Sequence, residues 1–157
     1  MDIRPATVDD FPALLELWKE FMDFHLDSNG FYQRAADGHE HWGRFIASRR
    51  QDEDFLLIMA FVESEAVGYC VASIMDYPPV FTVKKYGFIQ DMAVTASARR
   101  NGVASALFSH ARQWLQDHGI SRVELKVDTG NDTSRGFWRE MGFQPHTETW
   151  ARPVENR

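Results

Sequence analysis

One stretch limits the fold more than any other: "FIQDMAVTASARRNGVASALFSHARQWLQDHG", which starts at Phe88. Its first seven residues read as a largely buried strand. After Ala104 the apolar positions Leu107, Phe108, Ala111, Trp114 and Leu115 recur at helical spacing, and Gly119 is a natural stop. Between strand and helix lie two arginines and two small residues, Gly102 and Ala104. A strand, a tight small-residue turn and a helix N-terminus form a place where an anion can sit.

The physical basis is simple. The first N–H groups of a helix lack intrahelical partners, and the helix dipole adds partial positive charge there. Together they favour phosphate. Bare N–H groups must approach phosphate oxygens closely, and Gly102 and Ala104 keep bulk out of the way. Arg99 and Arg100 supply fixed charge. An ordinary turn before a helix would look the same at this level. No Gly-Lys-Ser/Thr follows, so a nucleotide-hydrolase loop is excluded, and the dinucleotide glycine pattern is absent as well.

The net charge of -6 argues against general binding to nucleic acid or an anionic membrane, which needs clustered Lys and Arg. No apolar run approaches the roughly 20 residues of a membrane span. The acidic start "MDIRPATVDDFP" has no apolar signal core, so a cytoplasmic location is expected. The single cysteine, Cys70, excludes an internal disulfide and an all-cysteine zinc site, and no metal is expected. With 157 residues, 44% of them hydrophobic, one domain over 1–157 is expected.

The remaining elements follow from local pattern. A short strand at Asp2–Pro5 precedes a helix from about Val8 to His25, with Thr7 and Asp10 as a capping pair. A second helix covers about His39 to Arg50. "DFLLIMAFVE" and "AVGYCVASIM" form a hairpin around Ser64–Glu65. The paired prolines of "DYPPVFTVKKYG" make it an aromatic loop rather than a central strand. "SRVELKVD" reads as a strand, "DTSRGFWREM" as a helix stopped at Gly142, and "FQPHTETWARP" as a last strand. The order β-α-α-β-β-β-α-β-α-β predicts an α/β protein, a mixed sheet with helices on both faces.

"IQDMAVTASARRNGVASALF" resembles the signature of the GCN5-related N-acetyltransferases: Arg or Gln, two residues, Gly, one residue, then Gly or Ala. Here that run is Arg99, Arg100, Asn101, Gly102, Val103, Ala104. "NDTSRGFWREMGF" is similar to the family's later segment, and the element order fits along nearly the whole chain. The resemblance implies the acyl-CoA N-acyltransferase fold and acetyl-coenzyme A as co-substrate. It implies that backbone N–H groups from Arg99 to Ala104 hold the pyrophosphate, and that the pantetheine arm pairs with Met92, Ala93 and Val94. That strand would also offer an N–H to the thioester oxygen. Asn131, Ser134, Phe137 and Trp138 match positions facing the arm, and Arg135 lies within reach of phosphates. Each also has a plainer reading: Asn131 as a helix cap, Phe137 as core, Arg135 as a solvated charge.

Two departures bear on catalysis. Trp138 stands where the family usually carries a tyrosine that protonates the leaving thiolate. An indole donates a hydrogen bond but not its proton. Losing a general acid costs about 10²- to 10⁴-fold, although a thiolate leaves readily. Tyr86 and Tyr77 are the replacement candidates, with packing as the plainer role. Gln90 stands where many relatives carry an acid. Asp91 is next to it, turned to the other sheet face by strand alternation unless a bulge intervenes. His25, at the end of the first helix, is the other candidate base, and its plainer role is to complete that helix's apolar face. A relay through water is a third route.

The resemblance places the acceptor along "EFMDFHLDSNGFYQ" and "DYPPVFTVKKYG". Aromatic walls with Glu20, Asp23 and Asp27 suit a cationic amine: an amino acid, a polyamine or an aminoglycoside. A solvated helix face accounts for the same carboxylates, and protein amines remain open. The leading reading is transfer of acetyl from acetyl-coenzyme A to a primary amine of a small molecule by direct attack in a ternary complex. A non-catalytic acyl-coenzyme A sensor and a purely structural interaction domain are the alternatives. The family's habit of dimerising implies a homodimer through "HTETWARP" or "DYPPVF".

Overall fold

A computed structural model describes residues 1–155 apart from Asn29; the side chains of Asp27 and Ser28 lie outside the described set. The chain forms a first compact unit, Met1–Lys126, and a second from Val127 onward.

In the first unit five strands lie in the order β1-β2-β3-β4-β5: β1 Asp2–Pro5, β2 Phe55–Val62, β3 Glu65–Asp76, β4 Lys85–Val94 and β5 Val123–Leu125. Neighbours are antiparallel except β4 and β5, which run parallel. A parallel pair needs a crossover, and here it is α3, Val103–Asp117. The β2–β3 hairpin turns through Glu63 and Ser64, both at positive φ (49° and 70°), with Val62 opposite Glu65. The expected centre at Ser64–Glu65 thus shifts by one residue. Paired positive φ values match the right-handed twist of the flanking strands.

The two sheet faces are covered differently. Helices α1 (Phe11–Ser28) and α2 (Gly38–Arg49) cover one face, where Leu14, Leu17, Trp18 and Ile46 pack on Leu57, Met59, Tyr69 and Val71. Trp18 stacks on Trp42 with ring centres 5.3 Å apart. On the opposite face α3 buries Leu107, Phe108, Ala111 and Leu115, as its spacing predicts. Each fully buried Leu there contributes about 1.5–3 kcal/mol. The helix comes close enough that a Cβ on Gly87 would lie 2.6 Å from Leu115.

The first helix opens as a 3-10 turn at Val8–Asp10 before α1 proper. Asp10 accepts hydrogen bonds from the Thr7 N–H (2.7 Å) and hydroxyl (2.8 Å), as the capping pair predicts. Arg4 adds a two-pronged ion pair to the same carboxylate, at 2.7 and 2.9 Å. That guanidinium holds Asp10 well below the usual carboxylate range.

In the second unit, α4 (Asp132–Glu140) ends at Gly142, which adopts φ 90°. Trp138 is buried against Phe137 and Phe143, with ring centres 4.9 and 5.1 Å away. The expected last strand is absent: no strand occurs from Phe143 to Glu155 among the described residues, and every residue from Gln144 to Glu155 is exposed. With no buried face there is nothing to fix a register. Pro145 and Pro153 also withhold two donors. β5 is likewise shorter than "SRVELKVD", because only Val123–Leu125 pair with β4.

Candidate functional site

β4 gives the first unit its distinctive geometry. It pairs with β5 only through Gly87, Phe88 and Ile89, yet continues to Val94. From Gln90 onward one edge of β4 therefore has no strand partner on the β5 side among the described residues. The departure coincides with an irregularity in the other ladder: Val71 faces Asp91 and Ala72 faces Ile89, leaving Gln90 as an extra residue. Such a bulge bends a strand and re-aims its side chains. Below it, Gly87 faces Leu115 of α3; above it, Ala93 packs on the α1–α2 side.

The bulge answers the question left by strand alternation. Asp91 lies on the α1–α2 face, where Trp42 of α2 donates its indole N–H to the carboxylate at 3.0 Å. Tyr69 of β3 occupies the same face, against Trp42 and Phe21. Burial pushes the Asp91 carboxyl above the usual range, with the Trp42 hydrogen bond and His25 opposing. His25 sits against the Phe21 ring (4.2 Å), and its Nδ1 lies 3.1 Å from the Phe21 carbonyl oxygen. Asp91 and His25 are thus brought into one electrostatic neighbourhood.

Tyr86 is elsewhere. It stacks on Tyr77 at 4.2 Å, near the start of β4. At about 3.3 Å per residue that is roughly 15 Å along the strand from Asp91. Tyr77 donates its hydroxyl proton to Glu124 and accepts from Arg122 at 3.0 Å, so it staples the aromatic loop to β5.

Beyond Val94 the chain makes a 3-10 turn at Ala96–Ala98, then two left-handed residues, Arg100 (φ 62°) and Gly102 (φ 76°), before α3. Gly102 is the N-cap and contributes no side-chain hydrogen bond, and a Cβ built on it would meet nothing within 4 Å. The glycine is there for its backbone angle, and the space over the helix end is open. Val103, the first residue of α3, is buried, Ala104 is half-buried, and Arg100 and Asn101 are exposed. Arg99 turns back, donating to the Val94 carbonyl at 3.1 Å with its guanidinium 5.0 Å from the Phe24 ring centre.

Sequence reasoning set Glu20 along the acceptor groove or on a solvated helix face, not against the turn after β4. Its carboxylate accepts from the Thr95 hydroxyl (2.8 Å) and the Ala96 N–H (2.9 Å), tying α1 to the turn. No local pattern signals a contact between residues so far apart. Asp23 is held by Arg34 at 2.8 Å, and the Asp27 side chain lies outside the described residues. In the second unit the Asn131 side chain accepts from the Ser134 N–H at 3.0 Å, capping α4, and Arg135 donates to the Thr129 carbonyl at 3.0 Å. Among the described residues no helix is long and apolar enough to cross a membrane.

Residues 11–143 match the acetyltransferase (GNAT) family. The chain belongs to that family. This acetyltransferase is 24% identical over 149 residues to the uncharacterized N-acetyltransferase YhfO of Bacillus subtilis, covering 94% of the one and 92% of the other. It is also 24% identical to an aminoglycoside N(6')-acetyltransferase type 1 of Acinetobacter haemolyticus, over 92% of this chain and 91% of that protein. Its fold matches that of the aminoglycoside N-acetyltransferase AAC(6')-Iy, solved in complex with CoA. The TM-score is 0.76 at 22% identity, covering 98% and 94% of the two chains. The GNAT chain thus shares both the family motif and the fold, while the identities leave its acceptor open.

Proposed function

We propose that this acetyltransferase binds acetyl-coenzyme A along the open edge of β4 and transfers the acetyl group to a primary amine of a small molecule. The observation that carries this reading is the parting of β4 from β5 after Ile89, with the open stretch of β4 leading through a 3-10 turn to the left-handed Gly102. The fit is physical. An extended arm can add to an unpaired strand edge by main-chain hydrogen bonds, here at Met92, Ala93 and Val94. A pyrophosphate suits the helix N-terminus from Arg99 to Ala104, where nothing stands over Gly102. The named relatives that act on aminoglycosides support a small-molecule amine.

Bound acetyl-coenzyme A supplies an activated thioester. The protein's own part is to deliver a neutral amine to it. Asp91 takes the proton from the incoming ammonium, and its raised pKa makes it a better base than an ordinary carboxylate. Trp42 holds that carboxylate in place, and His25 lies in the same electrostatic neighbourhood. Main-chain N–H groups of β4 beyond the bulge orient the thioester carbonyl.

Isothermal titration with acetyl-coenzyme A tests the reading, using the wild type beside Gly102→Glu. The expected result is binding by the wild type and none by a folded variant, because a carboxylate would occupy the anion's place. Thiol release with amines then separates an enzyme from a sensor. Wild-type protein that fails to bind would overturn the proposal.

A further inference from the structure

The segment between β4 and α3 has little structure of its own. Ala96, Ser97 and the run from Arg99 to Gly102 are exposed. Its internal bonds are those of a single tight turn, from the Ala98 N–H to the Thr95 carbonyl (3.0 Å) and from the Arg99 N–H to the Ala96 carbonyl (3.4 Å). One such turn carries the cost of nucleation without the gain of propagation. Anything that orders it must come from elsewhere in the chain.

The order comes from two sides. Thr95 donates its backbone N–H to the Val67 carbonyl of β3 at 2.9 Å. It is also the N-cap of the 3-10 turn, but its hydroxyl proton goes to α1. There one oxygen of Glu20 accepts it at 2.8 Å, and the other accepts the Ala96 N–H at 2.9 Å. A cap that is usually local is thus supplied by a residue 75 positions away. One helical turn further on, the guanidinium of Arg99 lies 5.0 Å from the Phe24 ring centre. Residues four apart share a helix face, so Glu20 and Phe24 set one face of α1 against residues 95–99. The first contact is a pair of charge-assisted bonds and the second a cation over a ring.

We propose that Glu20 is a positioning residue for the coenzyme: it fixes the turn at Thr95 and Ala96 so that the main-chain N–H groups from Arg99 to Ala104 stand ready for a pyrophosphate. This rests on the reading that acetyl-coenzyme A binds here, and it moves Glu20 from the acceptor groove to the donor side. A segment ordered in advance spares the ligand the cost of ordering it. The charge of Glu20 works the other way, since a carboxylate near a bound polyanion repels it. Its contribution is therefore geometric. Glutamine separates the two effects, because its amide oxygen accepts the Ala96 N–H and its NH2 group donates to the Thr95 oxygen, without the charge. Alanine removes both bonds.

The test is isothermal titration of the full chain with acetyl-coenzyme A for the wild type, Glu20→Gln, Glu20→Ala and Thr95→Val, with amide hydrogen exchange followed in the same proteins. Glu20→Gln is expected to bind as tightly as the wild type or tighter. Glu20→Ala is expected to bind about ten-fold more weakly than Glu20→Gln. Its Ala96 and Ala98 amides should exchange faster, while those of the buried Met59 and Leu107 keep their wild-type rates. Thr95→Val keeps the volume, drops one of the two bonds and should bind more weakly than the wild type. Equal affinity of Glu20→Ala and Glu20→Gln overturns the inference and leaves coenzyme binding standing. Faster exchange throughout the core overturns it as well, because that is a general loss of stability. Where Glu20→Ala does not fold, Thr95→Val decides, and affinity equal to the wild type overturns the role. A wild type that binds no acetyl-coenzyme A overturns both readings.

Discussion

The indole N–H of Trp42 donates to Oδ2 of Asp91 at 3.0 Å, joining α2 to the strand beside which the chemistry is proposed to occur. Trp42→Phe keeps a ring against Trp18 and removes the donor. Without that bond the Asp91 carboxylate loses the largest influence opposing its burial, and its pKa rises further. His25 of α1 and Tyr69 and Cys70 of β3 are the other titratable groups around it. The acid limb of the kcat/KM profile is expected to move to higher pH, with little change in kcat on the plateau. An unmoved limb would count against Asp91 as the base.

Asp91→Asn separates activity from stability. Activity is expected to fall by about 10²- to 10⁴-fold. Stability behaves oppositely. Asp91 has a raised folded pKa, so the folded state holds its proton longer than the unfolded chain does. Stability is then lost as pH rises through that folded pKa. The asparagine variant still accepts from Trp42 and escapes this loss. Thermal melts are expected to show an equal or higher Tm at neutral pH and a flatter dependence between acid and neutral pH.

Asp10 titrates in the other sense. Its folded pKa is depressed, first by Arg4, so its stabilisation is present above the usual carboxylate range and disappears as pH falls through that range toward the folded value. Asp10→Asn removes the ion pair and weakens the cap. Urea unfolding near neutral pH is expected to show a loss of about 1 kcal/mol. The gap between variant and wild type should close in strong acid.

Gly68 tests how tightly β3 and β4 are packed beneath the site. A Cβ there would lie 2.7 Å from the Ala93 carbonyl oxygen and 3.2 Å from Leu107 and Val94 side-chain atoms. Backbone cannot yield as a flexible side chain does, and Gly68→Ala is expected to cost about 1–3 kcal/mol. Because the atom it strikes belongs to the open stretch of β4, acetyl-coenzyme A affinity should fall as well. Unfolding midpoints and titration together check this.

Cys70 is fully buried and its thiol is pushed up to about 12 by that burial, with Asp91 adding to it. The native protein is expected to give almost no reaction with a thiol reagent at neutral pH. One equivalent should appear on unfolding. Thiol release assays would then report the coenzyme alone.

The sequence made some of this legible and hid the rest for identifiable reasons. α3 announces itself because Leu107, Phe108, Ala111 and Leu115 repeat at the helical period, and its close at Gly119 (φ 72°) follows from backbone geometry. The left-handed turn before α3 is written in Gly102. The bulge is not written in "FIQDMAV", because an extra strand residue changes which face its neighbours take without changing their composition. Asp91 was therefore identifiable as a carboxylate but not as an inward-facing one. Glu20 looked like a solvated acid because its partners come from β4's far end. "FQPHTETWARP" carried strand-like residues without any partner to pair with.

Glu20 has a mechanical consequence. One carboxylate grips both the hydroxyl of Thr95 and the N–H of Ala96 while belonging to the helix that carries His25. If the turn holds a pyrophosphate as proposed, α1 is fastened directly to the segment that would hold it. One side chain thus ties the helix that carries His25 to the end of the open strand, like a single rivet through two plates.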